Sequence, residues 1–254
     1  DVNAYTSFDE TVYQLQVPAD DPELVETAVD VLRDWAGNAL FDPSEVDAER
    51  NVVVEEWRLR EQTASGRLGD QQIELMLGDS IYAQRLPIGD MDIIRSISPE
   101  AVQAFYERWY RPDLMAVIAV GDFDPYQIEA LIQERFGDLP KASTPEPRPA
   151  PSVPSHGQTR YLVTSDPENP YAYTMIMNRV QHVPKHSRAD YRNMLANRLV
   201  SAMLSRRLDE IRQQPDAPFS AGLASGGDIV RDVDTFLMFA QTGYAGPHGA
   251  DITD

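Results

Sequence analysis

The chain has 254 residues, 42% of them hydrophobic, no cysteine, and a formal net charge of −19 from 41 acidic and 22 basic residues. That length holds one large core or two ordinary ones, and the missing cysteines exclude disulfides, cysteine nucleophiles and thiolate metal sites. The acidic balance opposes a nucleic-acid partner, because phosphate is repelled, and no run approaches the roughly 18 apolar residues of a membrane span.

The excess of carboxylates reads first as a solvated acidic surface, and secondly as a field that attracts basic ligands. Asp1 opens a polar stretch with neither the basic nor the apolar region of a signal peptide. Asn3 to Ser7 and Thr11 to Val17 are β-rich runs joined by Phe8-Asp9-Glu10, which predicts a hairpin. The small polar residues of the first strand leave two readings open: an edge that pairs with an extended peptide, or an ordinary internal strand. Asp21-Pro22-Glu23 predicts a capped helix start, and Gly37-Asn38 its end. Pro43 to Arg60 predicts a second helix, with Asp42 as cap and Pro43 in the first turn.

Gln62 to Gly66 is a weak point before helical Leu68 to Leu77, and Ser80 to Ile97 reads as irregular. Ser98-Pro99-Glu100 starts a helix that Arg111-Pro112 stops after Tyr110. Leu114 to Val120 predicts a buried strand, and Pro125 to Phe136 a helix. The proline-rich stretch 140–157 predicts an interdomain linker. Strands at Arg160 to Thr164 and Tyr173 to Val180 follow, then a long helix from Ser187 to about Gln213 and strand-like runs at Phe219 to Ser225 and Thr235 to Thr242. This order predicts an α+β chain of two related units of mixed or antiparallel sheet packed with helices. They span residues 1–139 and 158–254, and both are expected to be truncated.

The helix from Pro43 to Arg60 carries the feature that needs explaining. At 100° per residue Glu49 lies about 20° from Glu56, since seven residues make two turns. Val52 and Leu59 flank the pair on one side, and Val46, Val53 and Trp57 on the other. Two carboxylates are therefore expected in the middle of an apolar face, where burial is costly unless a cation, metal or donor meets them. Arg60, four residues after Glu56, offers a local salt bridge; a metal or catalytic role is the alternative.

Other candidates are weaker. His182 and His186 have i,i+4 spacing, but Pro184 between them argues against the helical face of a zinc-binding pair. His156 and His248 fall in linker and tail. Gly226-Gly227-Asp228 opens no clear helix and is no phosphate loop, and Arg206-Arg207 reads as a solvated face.

Several stretches together resemble the insulinase/pitrilysin family of zinc peptidases, in its bacterial periplasmic-type branch. They are Asp1 to Ser7 with Glu10 to Tyr13, Glu49 to Arg58, Leu86-Pro87-Ile88-Gly89, Phe105-Tyr106 with Trp109 to Pro112, and Val117 to Asp122. The resemblance implies a metallopeptidase fold and hydrolysis of peptide bonds in peptides or unfolded polypeptides. It implies zinc held by an inverted His-x-x-Glu-His motif plus a later glutamate, whose position Glu56 occupies. Glu49 matches an acidic position that supports the site, and Asn3, Ala4, Tyr5 and Thr6 match the strand that holds substrate backbone. The motif itself is absent from the sequence and is expected on the missing remainder of the chain, ahead of Asp1. The piece alone is therefore expected to be inactive, and the second unit to bind no zinc. A non-catalytic structural subunit, or a peptide-binding module with the same fold, is the alternative. A periplasmic or otherwise extracytoplasmic location is the expectation the resemblance brings.

Overall fold

The computed structural model describes residues 1–141 and 144–244. They gather into two compact units: Asp1–Trp57 with Leu86–Ala150, and Arg58–Arg85 with the described part of Pro151–Asp254. His248 lies outside the described residues. Mixed helices and small antiparallel sheets make up both units, as the α+β expectation requires.

The first unit opens on the hairpin β1 (Val2–Thr6) and β2 (Thr11–Leu15), paired from Val2↔Leu15 to Thr6↔Thr11. Helix α1 (Pro22–Gly37) starts where Asp21 accepts from the Leu24 N–H at 3.1 Å, which satisfies one of the amides a helix start leaves open. At the joint before α2 (Pro43–Glu61), Phe41 takes left-handed backbone with φ 53°, unfavourable for an aromatic residue. Its ring packs 5.0 Å from Tyr106, a contact that opposes the cost.

An aromatic cluster fixes the hairpin to its unit. Tyr13 lies 5.5 Å from the Trp35 ring of α1, and its hydroxyl shares a 2.7 Å hydrogen bond with Tyr110. Burial, and then that hydrogen bond, push the Tyr13 hydroxyl well above its ordinary pKa. Tyr106, in α5 (Pro99–Trp109), donates its hydroxyl to the Trp35 carbonyl at 2.7 Å. Arginine completes the frame: Arg135 of α6 (Pro125–Phe136) pairs with Glu26 and Asp30 of α1, and Arg33 donates to the Arg135 carbonyl.

The second unit centres on a three-stranded antiparallel sheet, β3 (Tyr171–Gln181), β5 (Val233–Tyr244) and β4 (Ala221–Val230), with β5 in the middle. Helix α7 (Arg188–Arg212) starts in a reciprocal capping box between Ser187 and Asp190 and packs on β4. Ser205 both donates to the Ala224 carbonyl and accepts from the Ala224 N–H, each at 2.9 Å, so a hydroxyl takes the place of a missing ladder neighbour. Gly222 permits the close approach, since a Cβ there would lie 3.2 Å from that of Leu208. Helix α3 (Ala64–Leu77) contributes fully buried Leu77 and buried Leu68, beside buried Tyr82. Arg67 clamps Asp166 and Glu168, and Arg179 donates to the Met76 and Pro154 carbonyls.

Four sequence expectations differ. Residues 115–120 join no ladder, leaving Ile118 81% and Val120 92% exposed, and 160–164 likewise form no strand. An apolar run becomes a strand only where another strand meets it, and among the described residues none does. Within the stretch read as irregular, Asp90 caps a short helix, α4 (Met91–Ser96), too brief for a periodic signal. Finally α3 starts earlier than expected, because Thr63 accepts from the Gly66 N–H and caps it.

Leu77→Ala is expected to lower stability by about 2–5 kcal/mol, the cost of a fully buried leucine; urea unfolding followed by circular dichroism reads it. The hydrogen bond from Arg67, and then the Glu168 N–H, hold the Asp166 carboxyl below its usual range. A lowered folded pKa means stabilisation that is present above the unfolded pKa and lost as pH falls through the folded one. The Tm difference between the native chain and Asp166→Asn is therefore expected to be largest above roughly pH 4 and to close below it.

Candidate functional site

Helix α2 forms its first turn on Asp42, which accepts from the Ser44 N–H at 2.8 Å. Its packing is one-sided. Val46, Val53 and Trp57 are half-buried, Arg50 reaches the Ile97 carbonyl, and Arg95 lies over the Trp57 ring at 5.9 Å. The other half of the apolar face is open: Val52 is 57% and Leu59 62% exposed.

Glu49 and Glu56 lie between these halves and are exposed, which corrects the expectation of buried carboxylates. The helical wheel was right about which residues are neighbours. What it could not say was which side of the stripe would be covered. The expected Arg60–Glu56 bridge is also replaced. Arg60 pairs with Asp70 of α3. Burial first, and then the hydrogen bond and charge of Asp70, raise the neighbouring Glu61 carboxyl above its usual range. Neither Glu49 nor Glu56 makes an ion pair among the described residues.

Can these groups hold zinc? Glu56 offers one solvent-facing carboxylate, a suitable oxygen ligand, and Glu49 sits about 10 Å away along the helix axis. The first unit contains no histidine. The set fits as one ligand and its supporting neighbour, not as a whole site.

On the hairpin, Asn3, Ala4, Tyr5 and Thr6 are all exposed along β1. Asp1 and Gln16 exchange both backbone bonds, and the Ser7 N–H donates to the Glu10 carbonyl. Alternation in an antiparallel ladder then turns the N–H and C=O of Val2, Ala4 and Thr6 toward the open edge. The Ala4 N–H is met there by the Asn3 side-chain oxygen at 2.8 Å. A nearby polar hollow, lined by Asp1, Asn3, Gln14, Leu15 and Gln16, has about 120 Å³, well short of an ordinary ligand pocket.

Residues 1–78 match the family model described as Insulinase (Peptidase family M16), and residues 96–238 match the Peptidase M16 inactive domain. The chain belongs to the insulinase family. It is 38% identical over 220 residues to a zinc protease PQQL-like protein of Arabidopsis thaliana, covering 86% of this chain and 23% of that one. Against the probable zinc protease PqqL of Escherichia coli it is 32% identical over 239 residues, 94% of this chain and 26% of the relative. The crystal structure of the first half of the periplasmic protease PqqL from Escherichia coli superposes with a TM-score of 0.81 at 30% identity, covering 95% of this chain and 52% of that one. The chain thus spans about a quarter of the length of these curated insulinase-family relatives.

Because both carboxylates face solvent, Glu49→Gln and Glu56→Gln are expected to leave the stability of the chain within about 0.5 kcal/mol. On the packed side of the same helix, Trp57→Ala should cost at least about 1 kcal/mol. Chemical unfolding of the variants side by side checks the split.

Proposed function

We propose that these residues belong to a zinc metalloendopeptidase in which Glu56 is the glutamate ligand of the metal. The observation that carries this reading is a carboxylate turned outward between the exposed Val52 and Leu59, on a helix within the insulinase match. The two histidines and the general-base glutamate would come from an inverted motif elsewhere in the protein. Glu49, two turns earlier, would accept from a ligand or from the helix that carries the motif, and so orient it. When bound, zinc supplies Lewis acidity and lowers the pKa of a coordinated water.

The open edge of β1 would hold the substrate as an added strand. Val2, Ala4 and Thr6 have backbone groups free to pair, and Asn3 would release the Ala4 N–H to the incoming peptide. Extended pairing reads backbone rather than sequence, which suits peptides and unfolded polypeptides. Residues 158–254 would form the opening part of a homologous, non-catalytic domain after a linker at 140–157. The match of residues 96–238 to a model described as an inactive domain supports the non-catalytic part of that reading, not its boundaries. A periplasmic setting is supported by the location named for the Escherichia coli relative.

In the full-length protein, Glu56→Gln is expected to lose bound zinc and chelator-sensitive peptide hydrolysis together. Glu49→Gln should cost about 10–100-fold, as an outer partner of a metal site does. Chain 1–254 alone should not cleave a quenched peptide. Unchanged zinc content and turnover in full-length Glu56→Gln, or chelator-sensitive cleavage by 1–254, would overturn the reading.

A further inference from the structure

A second group of ligand-type side chains meets at one end of the three-stranded sheet. His182 follows β3 directly, Asp228 lies in β4 and Asp234 in β5. The register pairs Val180 with Asp234 on one side of β5, and Asp228 with Asp234 on the other, so two carboxylates stand directly opposite each other across a ladder. Like charges in that relation destabilise a sheet unless something positive lies between them.

The backbone holds the third member in place. The His182 N–H donates to the Asp232 carbonyl at 2.9 Å, in the turn between β4 and β5, and His182 Nδ1 lies 2.7 Å from Asp234 Oδ1. One ligand atom from each of the three residues falls within 4.8 Å of the others. His182 and Asp234 side chains are each only 25% exposed, so their geometry is set by packing more than by solvent. Lys185 Nζ lies 3.3 Å from Asp228 Oδ1.

We propose that His182, Asp228 and Asp234 bind a divalent transition-metal cation, zinc or manganese, at a site separate from the one on α2. One imidazole and two carboxylates form a mixed nitrogen and oxygen set that suits these ions, with water completing the coordination. A cation entering here takes the place of the His182–Asp234 hydrogen bond and displaces the Lys185 ammonium. It removes the repulsion between the facing aspartates and ties the end of β3 to the β4–β5 hairpin. The role that follows is structural: a pin on the sheet, with no reaction implied.

Chain 1–254 titrated with zinc chloride, and separately with manganese chloride, under equilibrium dialysis tests this. One equivalent is expected to bind. His182→Gln and Asp234→Asn should each weaken binding by more than about tenfold. Glu56→Gln should leave it unchanged, which separates this site from the peptidase reading. Lys185→Met should strengthen binding, a gain that misfolding would not produce. No saturable binding by the native chain, or binding that survives His182→Gln and Asp234→Asn, or binding lost with Glu56→Gln, would overturn the proposal.

Discussion

An amphipathic helix must cover its apolar stripe, and α2 covers only half of one. Val46, Val53 and Trp57 turn inward, while Val52 and Leu59 stay in solvent with Glu49 and Glu56 between the two halves. Exposed apolar surface of this kind marks a place built to meet something. The segments at 115–120 and 160–164 repeat the pattern in another form, with Ile118, Val120, Tyr161 and Val163 exposed and no ladder joined. So does α7, where Leu199 and Met203 are largely exposed. The helix that holds the candidate ligand is thus one of several elements whose sequence asks for more neighbours than the described residues provide.

Distant segments within each unit are joined by arginine. The chain has 22 basic residues, and all but Lys141 and Lys185 are arginine. Their partners are often backbone carbonyls far along the chain: Arg33 to Arg135, Arg50 to Ile97, Arg111 to Glu146, Arg179 to Met76. A planar guanidinium can serve a carbonyl and a carboxylate at once, which a lysine cannot do with fixed geometry. The carboxylate excess therefore has a use inside the fold, as at Arg67 with Asp166 and Glu168, and at Arg135 with Glu26 and Asp30. Partly exposed pairs of this kind are individually weak, and their value lies in joining segments a hundred residues apart.

Local chemistry was legible from the residues, and long-range pairing was not. Each of the Asp21-Pro22 and Ser98-Pro99 starts is a capped helix whose cap side chain accepts from an early backbone N–H. A cap involves residues within one turn, so the sequence contains all of it. Leu114 to Val120 failed as a strand because pairing depends on residues that a local pattern does not include. Pro184 argued against a helical His182–His186 pair, and the side chains that gather round His182 instead, Asp228 and Asp234, stand across the sheet on β4 and β5, out of reach of a local pattern. The candidate role of Glu56 came from resemblance to a family, since periodicity alone offered an Arg60 salt bridge.

That salt bridge bears on the proposal that Glu56 is a metal ligand. A carboxylate engaged by an arginine must give up a charge-assisted bond before it can serve a cation, and the loss subtracts from metal affinity. Here Asp70 takes Arg60, and Glu61 remains close enough to Asp70 for its own carboxyl to be pushed toward the neutral form. Arg60, Asp70 and Glu61 thus form a small network at the end of α2, while Glu56, one turn before Arg60, takes no part in it. The helix is anchored through Arg50, Val53 and Trp57, none of which needs Glu56. Packing and the proposed ligation thus fall on different faces of one helix. A ligand on such a face can be rigidly placed without its own interactions contributing to the fold, and this separation is what a preorganised metal site requires.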